Sequence, residues 1–501
     1  IGRAPAAART PVACHGAALC AQIRLAVSNP IAVTPSSPWL ALSAGALAEL
    51  IRSGGASSEA VVAAHLAHIR AVNPAINAVV QGRGEAAFDE ARAADRDLAE
   101  GRPAGPLHGV PVTIKDSFDT AGVVTTGGTL GRRAFIPDRD ATVVARLKGA
   151  GAIVIGKTNT PELTLAYEAN NLIYGMTRNP YDLARGTGGS SGGAAAIVAA
   201  CGAALDVGSD TAGSIRFPAH CCGVAGLKPT SGRVSRAGHI IGPAGLQQWL
   251  TSIGPIARRV ADLELALGII AGPDGVDPHI VPMPLRASRD VDLRGLRAAL
   301  FVDTTLARTS ADVRRVVTQA ADVLARAGVE IDEAAPPEIE RAFAFFPHLF
   351  GADAAAGLQQ YLASLGTREV SREVQGAIRL MQPNATTCEA LGNLMIAIDL
   401  WRGQALAFMQ RYDLVLCPAA ADVAPLPVTD WNDPTVSWNA DVFPYLVPFN
   451  FTGEPSVVVR AGGDASGLPI GVQCVARGWR EDVALRAAAE IESALGGWRP
   501  A

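Results

Sequence analysis

The tightest constraint on this chain is a short apolar run, Gly109-Val-Pro-Val-Thr-Ile114, closed by a lysine at position 115. Its β-branched residues suit a buried strand. Helix-like and strand-like patterns alternate after it. Residues 141–148 read as a helix, 152–155 as a strand, 194–200 as a helix and 204–207 as a strand. That alternation predicts an α/β fold with a central mixed, twisted sheet covered by helices on both faces.

Upstream, Leu47, Leu50 and Ile51 recur at helical spacing until Gly54-Gly55 breaks the run. Ser57 or Ser58 caps a second helix carrying Val61, Val62, Leu66 and Ile69, which is expected to stop at Asn73-Pro74. His65 and His68, three apart on that helix, read as surface or groove histidines rather than a metal pair. Residues 273–292 are rich in Pro and Asp and read as a connector. Beyond it come a strand at 297–302, helices at 311–327 and 338–365, late strands at 413–416, 456–459 and 470–475, and a final helix at 480–495. With strands near both ends and no clean linker, residues 39–498 are expected to form one catalytic domain. Residues 1–38 are expected to be a poorly ordered N-terminal extension.

Several function classes lose support from composition. Charged residues make up 18% of the chain and the net charge is −4, with no basic block, so nucleic-acid binding lacks an electrostatic footprint. The longest apolar run, 194–205, is broken by glycine and falls short of the ~20 residues a membrane span needs. Eight cysteines without CxxC or zinc-site spacing read as buried free thiols in a reducing cytosol, so a cytoplasmic location is expected. No metal or organic cofactor is implied.

Two serine motifs carry the chemistry. The first is Gly-Thr-Gly-Gly-Ser-Ser-Gly-Gly over 186–193. A phosphate loop would need Gly-Lys-Ser/Thr, which is missing. A nucleophile elbow centred on Ser190 would need a strand directly before it, and the residues up to Arg185, with Pro180 and Asp182 among them, do not read as one. The second motif is Gly208-Ser-Asp-Thr-Ala-Gly-Ser-Ile-Arg216. Its small residues before Ser214 let successive N–H groups converge, as an oxyanion hole requires. A helix and a strand fit between the two serines and can bring their loops together.

Taken together, GGSSGG, GSDTAGSIRFPA and the lysine of GVPVTIKD resemble the amidase-signature family, as do GLKPT at 226–230 and FNFTGEPS at 449–456. The resemblance extends over about 42–495 and is weakest between 297 and 413. It implies Ser214 as nucleophile, Ser190 as a relay serine preceded by a cis peptide bond, and Lys115 as base. It also implies an oxyanion hole from the backbone of Thr211, Ala212, Gly213 and Ser214. Family members often have glycine at the Ala212 position.

The implied triad is physically coherent. A serine hydroxyl is a weak nucleophile until a base takes its proton, and a lysine at its ordinary pKa of ~10.4 is no base at neutral pH. Burial lowers that pKa. Asp116 is expected to support Lys115, Ser191 to support the glycine loop, and Asp210 and Arg216 to hold the nucleophile loop. The substrate expected is a small-molecule linear amide, with aryl esters and carbamates sharing the acyl-enzyme chemistry, and the enzyme a monomer or homodimer. The pocket is expected to draw on 125–129, 167–176 and 343–445, including Phe345, Phe346, Trp431, Trp438 and Phe443. One rival is the glutamine-hydrolysing subunit of a tRNA-dependent amidotransferase, disfavoured because no acidic residue precedes Asn450 where glutamine binding would need it. Another is an α/β-hydrolase-like esterase pairing Ser190 with His220, His239, His279 or His348. A third is a non-catalytic binding protein on the same fold, against which the intact Ser-Ser-Lys set argues.

Overall fold

The computed structural model describes residues 30–31, 37–103, 105–242, 245, 248–430 and 441–501. Most of the 1–38 extension, with Cys14 and Cys20, lies outside the described residues, as do Trp431 and Trp438.

The amino-terminal half opens with helices α1 (Ala44–Arg52) and α2 (Ser58–Ile76), each capped by a serine that accepts an N–H three residues on. Helix α2 runs past the expected stop, with Pro74 inside its last turn. Asn73 stabilises this end: its Oδ1 accepts the Ala78 and Val79 N–H groups at 2.8 and 2.7 Å, and Asn77 ends the helix in a left-handed conformation. His65 and His68 are buried, not at the surface; His68 Nε2 lies 2.7 Å from the Ala200 carbonyl. Strand β1 (Val79–Gly82) and helix α3 (Gly84–Ala99) follow. Next come β2 (Pro111–Lys115), α4 (Thr142–Gly149) and β3 (Ile153–Thr158). Strands β1, β3 and β2 form a three-stranded sheet, parallel between β2 and β3.

Strands β4 (Arg178–Asn179) and β5 (Asp182–Gly186) make a small antiparallel ribbon. A strand therefore does precede the glycine loop, contrary to the sequence expectation; it is short, and Pro180 lies in its turn. Helix α5 (Gly192–Ala199) leaves the loop and is buried along its whole length. Its small residues permit this: a Cβ on Gly193 would sit 2.4 Å from the Asn159 nitrogen.

Eight strands make the larger sheet. They are β6 (Leu205–Asp210), β7 (Ala225–Lys228), β8 (Ser252–Ala257), β9 (Arg297–Leu300), β10 (Glu330–Glu333), β11 (Leu414–Pro418), β12 (Ser456–Gly463) and β13 (Pro469–Ala476). Their order is β10-β9-β11-β13-β12-β7-β8-β6. The sheet is mixed: β9 runs parallel to β10 and β11, and the other pairs are antiparallel. Buried apolar residues of flanking helices such as 311–326 and 481–495 pack on it. The two sheets meet at Asp206, whose carboxylate accepts the hydroxyls of Thr113 on β2 and Thr158 on β3 at 2.6 and 3.0 Å. No described helix is long and apolar enough to cross a membrane.

Candidate active site

The carboxyl end of β2 delivers Lys115 to the seam between the two sheets. Its side chain is fully buried, and Nζ lies 2.7 Å from Ser190 Oγ and 3.0 Å from both Ser191 Oγ and Ser209 Oγ. Burial pushes its pKa down to about 7, against the opposing pull of the Asp206 and Asp210 carboxylates. Much of the lysine is therefore free amine at neutral pH. Three hydroxyls suit either form: an ammonium donates to all three, and a free amine donates to two and accepts from the third. A proton can thus move from a serine to the lysine without stranding a buried polar atom.

Ser190 and Ser191 reach the lysine because the glycine loop turns tightly into α5, with a cis peptide between Gly189 and Ser190. The Ser191 N–H donates to the Ser214 carbonyl at 3.1 Å, which ties the two serine motifs together. None of the described histidines hydrogen-bonds Ser190. His220 instead contacts the Asp422 and Gly471 carbonyls. His239 Nε2 lies 3.0 Å from Ser209 Oγ, and burial, then the neighbouring Lys115, hold its pKa down at about 3. A line from Lys115 through Ser209 to a neutral His239 is thereby built, although His239 is 124 positions from Lys115 by numbering. Ser209 lies in the GSD motif, so its place was readable, but its role beside the lysine was not.

Ser214 follows β6 and is 7% exposed. Its hydroxyl makes no hydrogen bond to the described residues and borders a cavity of about 340 Å³. Beneath it, fully buried Asp210 and Arg216 pair at 2.9 Å, and Arg216 also reaches the Leu446 carbonyl, Gln473 and Asn450. Burial alone would raise the Asp210 carboxyl, but the Arg216 guanidinium and Asn450 outweigh it and hold it well below the usual range. The two Asp210 oxygens accept the N–H groups of Gly213 and Ile215 at 2.8 and 3.1 Å. One of the four amides expected in the oxyanion hole is thereby hydrogen-bonded already. The Gly213 N–H is turned onto Asp210, leaving Thr211, Ala212 and Ser214 as the loop amides without an acceptor among the described residues.

Asp116 does not support Lys115. It lies in the turn after β2, where it accepts from the Thr126 N–H and hydroxyl and lies 4.0 Å from buried Lys157.

The cavity beside Ser214 is walled by Tyr167, Phe217, Phe346, Phe350 and Phe443, with Thr211 and Ala212 at its reactive end. The Tyr167 hydroxyl donates to the Ala212 carbonyl. Phe345, expected in the pocket, packs instead against Trp401 and Phe451. Segment 125–129 is spent holding Asp116 and Glu162 rather than lining the cavity. A second cavity, of about 500 Å³, shares Thr164, Leu165, Thr211, Phe350 and Met381 with the first.

A sequence model of the Amidase family matches residues 60–485. The chain is 37% identical to an indoleacetamide hydrolase of Bradyrhizobium diazoefficiens, over 92% of this chain and 88% of the relative. It is 34% identical to one component of the glutamyl-tRNA(Gln) amidotransferase of a Synechococcus species, over 90% of this chain and 96% of the relative. Among solved structures, a fatty acid amide hydrolase superimposes with a TM-score of 0.82 at 26% identity, over 92% of this chain and 87% of that one. This chain belongs to the Amidase family, the amidase-signature enzymes.

Proposed function

We propose that the protein hydrolyses the C–N bond of small-molecule amides through an acyl-enzyme on Ser214. The observation that carries this reading is the buried Lys115 amine, lowered to about 7 and ringed by serine hydroxyls next to the cavity that Ser214 borders. In the proposed reaction, Ser190 passes its proton to Lys115 and takes the Ser214 proton as the Ser214 oxygen attacks the carbonyl carbon. The oxyanion is met by the N–H groups of Thr211, Ala212 and Ser214. The proton returns through Ser190 to the leaving nitrogen, the C–N bond breaks, and water repeats the cycle in reverse to release the acid. Ser191, Asp210 and Arg216 hold the two loops in register.

The same acyl transfer serves aryl esters and carbamates. An indoleacetamide hydrolase among the relatives supports stand-alone hydrolysis of an aryl-bearing amide. The amidotransferase relatives support glutamine as a second amide to try. The catalytic unit in this reading is residues 39–498.

The test is turnover of a panel of p-nitroanilides, primary amides including glutamine and indoleacetamide, aryl esters and carbamates, with Ser214→Ala and Lys115→Ala beside the parent. Turnover that falls by orders of magnitude in both folded variants supports the reading. Activity retained in Lys115→Ala overturns it and favours a histidine-based site.

A further inference from the structure

Three hydroxyls surround the Lys115 amine, yet the reaction above needs only that of Ser190 to surrender a proton to it. A free amine has one lone pair, so any hydroxyl that donates to it shuts out the other two. The structure supplies separate acceptors for the two that must not donate. The Ser191 hydroxyl donates to the Ser209 carbonyl at 3.4 Å. The buried Ser209 hydroxyl has two partners among the described residues, Lys115 Nζ and His239 Nε2, each at 3.0 Å. The Ser190 hydroxyl has Lys115 as its one partner among those residues.

The imidazole is held firmly. His239 is buried, its backbone bridges Phe118 just past β2, and the two rings lie 4.8 Å apart. Nδ1 faces both polar groups of Ile241, the carbonyl at 3.1 Å and the N–H at 3.2 Å, so either tautomer finds a partner there. Lys115 decides between them. As an ammonium it donates to Ser209 Oγ and cannot accept. Were Nε2 a donor too, the buried Ser209 proton would have no acceptor, which is costly. The tautomer that strands nothing carries its proton on Nδ1, donates it to the Ile241 carbonyl, and accepts the Ser209 proton at Nε2.

We infer, resting on the Ser214–Ser190–Lys115 reading above, that His239 is a positioning residue: acting through Ser209, it keeps the Lys115 lone pair for Ser190. The role needs a neutral ring. Burial, then the positive charges of Lys115, Arg236 and Arg132, keep it neutral against the pull of the Ile241 carbonyl. Asp206 and Asp210, both on β6, are the charged groups that act on Lys115 itself.

The test begins with His239→Phe, which keeps a ring against Phe118 and removes the acceptor. Ser209 then turns its proton to the lysine lone pair and competes with Ser190. For the panel substrate that the parent turns over fastest, kcat should fall roughly tenfold to a hundredfold with KM little changed. The acid limb of kcat should also move to lower pH, because a hydroxyl left with no other acceptor favours the free amine over the ammonium. Removing the competitor as well, in Ser209→Ala/His239→Phe, should recover most of the lost kcat, whereas a packing defect would persist or add. Nitrogen-15 NMR of the imidazole, assigned by its loss in His239→Gln, reads the tautomer in the unaltered protein. A proton on Nδ1 and a bare Nε2 from pH 5 to 9 are expected. A protonated Nε2, parental kcat in His239→Phe, or a double variant no faster than His239→Phe overturns the inference. Turnover that Ser214→Ala and Lys115→Ala abolish upholds the amidase reading whatever the His239 variants do, so the two failures are distinguishable.

Discussion

Arg216 and Asp210 form a fully buried ion pair directly under the Ser214 loop, with Nη2 and Nε each about 3 Å from a carboxylate oxygen that also accepts a loop N–H group, Oδ1 accepting the Asn450 side-chain amide as well. Arg216→Met removes one partner and strands the other charge in the interior. Breaking such a pair costs about 3–5 kcal/mol. Urea unfolding of the variant should show a loss of that size, accompanied by loss of turnover because the loop amides lose their anchor. A shift within error would show that the pair does not hold the loop.

Lys115 is predicted to be retained at a cost in stability. Its folded-state pKa of about 7 lies below the ordinary value, so between about 7 and 10.5 the unfolded chain binds the extra proton. The stability contribution therefore rises with pH across that window and is least favourable at neutral pH and below. Lys115→Met should abolish turnover yet melt at the same or a higher temperature at pH 7, with the advantage over the parent shrinking towards pH 10. A marked fall in melting temperature at pH 7 would contradict this.

In the proposed mechanism the free amine is the active form, so kcat/KM for a neutral amide should rise with pH and level off above about 7. Asp206, pushed up to about 7 by burial, titrates in the same range, so the limb belongs to the pair. Its carboxylate raises Lys115. Asp206→Asn removes that influence and should move the limb to lower pH. A limb that stays in place, or moves up, excludes the coupling.

Gly213 has φ of +112°, and a Cβ there would lie 2.3 Å from Leu446 Cδ1. Gly213→Ala must shift the loop that carries the amides proposed to meet the oxyanion. A drop in kcat of about a hundredfold or more is expected, with KM changing less. Parental kcat in this variant would mean that the loop is not held to tight tolerance.

The catalytic candidates were legible in the sequence because small residues and a strand-end lysine leave a local signature. Lys115, Ser190 and Ser214 could be placed from three motifs, and Asp210 and Arg216 sit within one of them. Asp116 misled because adjacency in a chain is not contact in space: it sits in the turn after β2 and is held by Thr126 beside Lys157. The Ser209–His239 contact and the turning of the Gly213 N–H onto Asp210 depend on segments meeting in space, and no local pattern encodes them. The α/β class and the late strands were readable from periodicity. The β4–β5 ribbon was not, because two short strands around a proline carry too few alternations to register.

The central claim is that Lys115, through Ser190, activates Ser214. The most direct measurement is the rate and site of covalent labelling by a fluorophosphonate, read by peptide mass spectrometry from pH 5 to 9 in the parent and in Lys115→Ala. The account predicts label on Ser214 alone, at a rate that climbs through about pH 7 in the parent and falls by orders of magnitude in the variant. Label on Ser190, or a rate on Ser214 indifferent to Lys115, would contradict it.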